Sequence, residues 1–154
     1  MDLDLFISDN KRFCSRCSAI IYNKDKTKVL LFAVPWRNFY MLPGGRINYM
    51  EDSASSIKRE IKEELGLDLN YKLSSIKEIF LDNEDKKIMQ YDFCYKAVYE
   101  GKTSEDKIYS LDSENQYFEW IDISELDKYD LKPFSAKHEI KTNEEVKIMI
   151  ENAI

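Results

Sequence analysis

Glycine is scarce in this chain. Four glycines serve 154 residues, and Gly44, Gly45 and Gly66 fall in one short stretch with Pro43 beside them. A chain this sparing places glycine where the backbone must turn sharply or approach something closely. Between Gly45 and Gly66 runs a helical pattern. Ala54, Ile57, Ile61 and Leu65 fall within about 80° of one another on a wheel at 100° per residue. Asp52 is a good N-cap, and Gly66 a good left-handed stop. The spacing predicts a helix over 52–65.

The rest of the chain reads mainly as strands. Cys14–Tyr22 and Lys28–Val34 are strand-like, joined by a turn at Asn23–Thr27. Tyr40–Leu42 is a short extended piece leading into Pro43. Tyr71–Leu81 and Ile88–Tyr99 flank a polar turn at Asp82–Lys87, and Tyr117–Ile121 is a further strand. Ser124–Tyr129 reads as a helical turn. Thr142–Asn152 reads as a C-terminal helix, about 142–152, with Thr142 and Glu145 as a capping box. Strands dominate without regular alternation with helices, so the expected class is α+β. No repeat or linker divides the chain, and a single domain over 1–154 is expected.

Composition narrows the function. Twenty-three basic residues against 29 acidic ones give a net charge of −6. That balance argues against charge-driven binding to nucleic acid or an anionic membrane. The longest apolar run, Val29 to Val34, is far short of the ~20 residues that span a bilayer. Met1–Phe6 is acidic where a signal peptide would be basic. Three cysteines, an odd number, suit a reducing compartment. The cytoplasm is the expected location, and no membrane partner is expected.

The predicted helix carries Glu60, Glu63 and Glu64 on an arc of roughly 100° beside its apolar stripe. Carboxylates at these spacings repel by a few tenths of a kcal/mol per pair. They also sit near the helix C-terminus, where negative charge is disfavoured. A bound divalent cation would reverse both effects, and an oxygen-only ligand set suits Mg²⁺ or Mn²⁺.

From Gly45 the chain runs Gly-x5-Glu51-x7-Arg59-Glu60-Ile61-x-Glu63-Glu64-x-Gly66-Leu67. This resembles the Nudix box at all nine of its specified positions. Seven of these are fixed residues, so a chance match at one start is on the order of 10⁻⁹. Leu42-Pro43-Gly44-Gly45-Arg46 resembles the family's lead-in, and Glu119-Trp120 a distal family pattern. Two positions depart from common family usage: Met50 stands where glycine is frequent, and Ser56 where alanine is frequent.

The resemblance implies an α/β/α sandwich around a mixed central sheet. It implies metal-dependent hydrolysis of the diphosphate in a nucleoside diphosphate linked to another group X. Glu60, Glu63 and Glu64 are then the metal ligands, with the Gly44 carbonyl and Glu119 as further candidates. Glu60 is the first candidate base and Glu119 the reserve. Arg59 orients a motif carboxylate, while Glu51 and Gly66 support the motif. Gly45, Arg46, Arg37, Trp36 and Tyr40 are the substrate-binding candidates, through backbone approach, phosphate contact and ring stacking. A catalytically silent nucleotide-sensing module is the alternative, which an intact motif disfavours. A homodimer stands open by family analogy.

Other patterns lead nowhere. Cys14-x2-Cys17 has half-site zinc spacing, but Cys94 and His138 cannot complete it, and residues three apart on a strand face opposite sides. Gly101-Lys102-Thr103 lacks the first glycine of a P-loop, and His138-Glu139 lacks a second histidine.

Overall fold

Alternation along the second strand decides how the layers form. A computed structural model describes residues 1–33 and 36–153. It begins with a hairpin of β1 (Asp4–Ser8) and β2 (Lys11–Asn23), followed by β3 (Lys28–Ala33), β4 (Tyr40–Met41) and β5 (Gly44–Arg46). Helix α1 (Ser53–Leu65) leads to β6 (Lys72–Asp82), β7 (Lys87–Tyr99), β8 (Ile108–Tyr109) and β9 (Tyr117–Asp122). A 3₁₀ turn (Ile123–Lys128), β10 (Leu131–Lys132), α2 (Ala136–Lys141) and β11 (Lys147–Ala153) complete the order. The predicted third-strand residue Val34 lies outside the described residues.

The sheet is mixed, with central order β10-β4-β3-β2-β7-β6-β11. β2 runs parallel to β7, from Lys11 opposite Lys87 to Asn23 opposite Tyr99. Its other edge is shared. β3 pairs near Tyr22, and β5 pairs across Arg16, Cys17 and Ser18. That division opens a cleft beside Gly44 and Gly45.

Successive β2 side chains go to opposite faces. Cys17, Ala19 and Ile21 pack with Ile57 and Ile61 of α1, and with Phe118. Ile20 and Tyr22 pack with Leu126, Leu131, Ala136 and Ile140 on the other face. Both helices therefore cover one sheet, giving the expected α/β/α sandwich. Ile57 and Ile61 are fully buried, each contributing roughly 1.5–3 kcal/mol.

Helix α1 starts and stops where its sequence predicts. Asp52 accepts from the Ser55 amide, and Gly66 adopts φ 68° while donating to the Lys62 carbonyl. One stripe residue differs: Ala54 is exposed, and Ser56 points inward within 3.2 Å of the Cys17 thiol. In the first turn Ser53 faces the sheet, its hydroxyl 2.6 Å from that of Tyr95, and the small inward position falls at Ser56.

Met50 sits at φ 65°, a left-handed conformation, with its side chain in solvent. An L side chain there costs roughly 1–2 kcal/mol, while glycine gives back about 0.4–1 kcal/mol through unfolded-chain entropy. Met50→Gly is expected to stabilise the fold by about 0.5–1 kcal/mol. A denaturant midpoint that rises at constant m-value checks this; an unchanged midpoint refutes the strain.

The C-terminal helix expected over 142–152 is not formed. Instead α2 ends at Lys141, with Thr142 as its C-cap, and β11 adds to β6 as a parallel strand. The apolar pattern there has period two. Ile148 and Ile150 share one face, Met149 and Glu151 the other. β-branched side chains fit a strand better than a helix. The free edge of β6 supplies the hydrogen bonds.

Candidate active site

Arg59 organises the box. Its Nε and Nη2 donate to the two Glu51 carboxylate oxygens at 2.8 and 2.9 Å. Its Nη1 donates to Glu60 Oε1 at 2.9 Å and Glu63 Oε2 at 3.2 Å, and Nη2 also reaches the Arg46 carbonyl. The i,i+4 spacing puts Arg59 and Glu63 on one helix face. Glu51 comes from the loop before the helix and accepts also from the Asn48 amide. Arg59 holds the Glu51 carboxyl down to about 2. Glu51 and Arg59 thus brace the loop against the helix.

Glu60 and Glu64 face the other way energetically. Burial raises Glu60 above the usual carboxylate range, with Arg59 opposing. Burial pushes Glu64 up to about 8, and Glu60 and Asp112 repel it further. Glu64 is only 9% exposed, and its Oε2 is buried without a hydrogen-bond partner. A buried unpaired carboxylate oxygen is costly and marks a place for a missing partner. Glu60, Glu64, Gly44 and Gly45 line one cleft with Arg16 and Arg46. A Cβ on Gly45 would lie 2.3 Å from Glu60 Cδ, so only glycine lets Glu60 stand there. Among the described residues no three acidic, histidine or cysteine side chains already converge on one point. Arg59 instead draws Glu60 and Glu63 to itself. The donor set nevertheless fits a hard divalent cation, since every group is an oxygen.

Other predicted residues are dispersed. Glu119 follows Phe118, which packs on the α1 face, so Glu119 lies on the opposite face with Ile121. There it accepts from the Tyr40 hydroxyl at 2.9 Å. Glu119 is not among the residues that line the cleft with Glu60 and Glu64. Arg37 is exposed, with its guanidinium over the Phe39 ring and near Met41 Sδ, and Trp36 is 66% exposed. Arg46 reaches the cleft while paired to Asp4 at 3.1 Å.

Sequence reasoning missed Arg16 and Gln90, which line the cleft from β2 and β7. It also missed Asp112, whose charge bears on both Glu60 and Glu64. The Leu111 amide donates to the Glu64 carbonyl at 2.9 Å, tying that loop to the end of α1. No local pattern signals any of the three. The cysteines are free and buried: Cys14 contacts Gln90, and Cys17 contacts Ser56 on the other face. A larger hollow lined by Tyr22, Lys26, Lys72 and Lys96 contains no α1 residue.

One mixed sheet between two helices, with a cleft lined by Glu60 and Glu64 at the split edge of β2, defines the architecture. The NUDIX domain model matches residues 13–140. The chain therefore belongs to the Nudix family of hydrolases, which generally use divalent metal ions and nucleotide derivatives. Among curated proteins none matches the sequence. Solved structures share the fold. A MutT protein from Bacillus halodurans is 24% identical with a TM-score of 0.64, over 84% of this chain and 80% of that one. The E. coli dihydroneopterin triphosphate pyrophosphohydrolase is 16% identical with a TM-score of 0.66, over 82% and 92%. A Nudix-family hydrolase from Clostridium perfringens is 19% identical with a TM-score of 0.61, over 83% and 96%.

Proposed function

We propose that this chain hydrolyses the diphosphate linkage of a nucleoside diphosphate joined to a group X. Mg²⁺ or Mn²⁺ would be held by Glu60, Glu63, Glu64 and the Gly44 carbonyl. The observation that carries this reading is the buried Glu64 carboxylate, one oxygen unpartnered, beside Glu60 in the cleft wall. When bound, the ion neutralises the diphosphate, polarises a phosphoryl oxygen and acidifies the attacking water.

The chain's own residues do the rest. Arg59, anchored on Glu51, holds Glu60 and Glu63 in place. Gly44 and Gly45 let the backbone lie close to the diphosphate. Glu60, its carboxyl raised by burial, is the first candidate to take the proton from water. The exposed Trp36 ring, with Arg37 and Tyr40, offers a stacking surface for X or the base. Glu119, bonded to Tyr40, belongs with that surface rather than with the ion. The free buried thiols suit a reducing cytoplasm.

The test is phosphate release from a panel with Mg²⁺ or Mn²⁺. It includes dNTPs, oxidised dNTPs, ADP-ribose, nucleotide sugars, dinucleoside polyphosphates and CoA. Glu64→Gln serves as the blank. Turnover that vanishes in the variant supports the enzyme and identifies X. Nucleotide binding without turnover on any compound transfers the assignment to the sensing module.

A further inference from the structure

The cleft contains a cation with no assigned work. Arg16 projects from β2 into the same cleft as Glu60 and Glu64, and its side chain is 18% exposed. Among the described residues its guanidinium makes one ion pair, Nε to Asp92 Oδ1 at 3.9 Å, and no hydrogen bond. A guanidinium carries five donors in a rigid fork matched to phosphate oxygens. Here none of the five donates a hydrogen bond to the described residues. The neighbouring Arg46 differs, since Asp4 already engages it.

What holds Arg16 is also unusual. Asp92 is 2% exposed on β7, directly opposite Arg16 in the parallel register. It accepts from the Ser18 hydroxyl at 3.0 Å, while its Oδ1, the oxygen nearest Arg16, has no hydrogen-bond partner. Opposite Asp92 on β6 stands Lys77, fully buried and 2.7 Å from Glu139 of α2. Charges thus alternate from α2 to the cleft: Glu139, Lys77, Asp92 and Arg16. Burying four such groups is expensive unless each is balanced by its neighbours. The β2 parity that sends Cys17 to α1 sends Arg16 to the α2 face, the face that also carries Tyr40 and Glu119.

Resting on the diphosphatase reading, we propose that Arg16 is the side chain that grips the substrate's diphosphate, and that Asp92 positions it. The grip is on non-bridging phosphoryl oxygens, across the cleft from the glutamates. Arg16 therefore reads the diphosphate common to all substrates and not the base or X.

The experiment compares wild type with Arg16→Lys, Arg16→Gln and Asp92→Asn. It measures calorimetric binding of inorganic pyrophosphate with Mg²⁺, and KM and kcat on any panel compound that turns over. Arg16→Gln is expected to weaken pyrophosphate about 10- to 100-fold, the loss of a charge-assisted bidentate contact. KM should rise by a similar factor for every substrate, with their order of preference unchanged. Arg16→Lys keeps the charge but not the fork and should fall between. Asp92→Asn keeps the Ser18 bond and should weaken binding less than Arg16→Gln, with kcat changed less than KM. If Asp92→Asn does not fold, the Arg16 variants still decide. Pyrophosphate bound equally by wild type and Arg16→Gln, or by neither, overturns the assignment. So does a loss confined to one base. Arg16-dependent pyrophosphate binding without turnover on the panel would instead sink the hydrolase reading alone.

Discussion

Glu64→Gln is expected to abolish turnover and, in the metal-free protein, to remove a stability loss that grows with pH. The folded state raises the Glu64 carboxyl from 4.5 to about 8. Between those values the folded chain binds more protons than the unfolded chain. Stability contributed by the neutral acid is complete below pH 4.5 and is lost as pH rises through about 8. The limiting slope is about 1.4 kcal/mol per pH unit. Glutamine is neutral throughout, so the variant should be flat in this window and more stable than wild type near pH 8. Added Mg²⁺ should reverse the order, because it stabilises only a chain that can present the carboxylate. The metal response of wild type should strengthen as pH rises, since the ion displaces a proton. Chemical denaturation across pH 5–8.5, with and without Mg²⁺, reads both effects. A metal-free wild type with the same pH slope as Glu64→Gln would refute the buried-acid account.

Adding one methyl group at Gly44 or at Gly45 should give two different failures. A Cβ at Gly44 would lie 2.1 Å from the Cys17 carbonyl oxygen and 2.8 Å from Ser18 Cα. Those atoms are backbone of the adjacent strand and cannot yield, so β5 must separate from β2. Gly44→Ala should cost about 3 kcal/mol or more. For a Cβ at Gly45 the nearest atoms are those of the Glu60 carboxylate, at 2.3–2.5 Å. A side-chain end can swing away, so Gly45→Ala should change stability by about 1 kcal/mol or less. Its damage falls on activity. Displacing Glu60 by about 1 Å should lower kcat about a hundredfold. Thermal melts and kinetics on the same preparations separate the outcomes. Gly45→Ala with full activity would remove Glu60 from the proposed chemistry.

The parts of this site that were legible in the sequence are those fixed within a few residues. Asp52, Arg59, Glu63 and Gly66 owe their places to capping and to the helical repeat, and both are local. The placement of Glu119 was not legible: its neighbour Trp120 is conspicuous, but which face each takes depends on how β9 pairs with β3. Arg16 and Asp92 meet only through the parallel β2–β7 register, which joins residues far apart in the chain. Asp112 is placed by one backbone bond from Leu111 to the end of α1. The last strand fails for a different reason. Thr142 and Glu145 make a plausible cap, and the competing period-two pattern wins only because β6 offers an edge. Two-residue strands such as β8 and β10 are too short to leave any periodic trace.

The three thiols are buried in separate parts of the fold. Cys17 and Cys94 are fully enclosed and Cys14 nearly so. Burial pushes Cys17 up to about 11 and Cys94 up to about 12, so neither supplies thiolate at neutral pH. They occupy three different settings: the outer end of β2, the contact with α1, and the core under α2. An alkylating reagent can reach each of them only when its own layer lifts. The molecule thus carries three internal clocks, one per region, that time its breathing without any label being engineered into it.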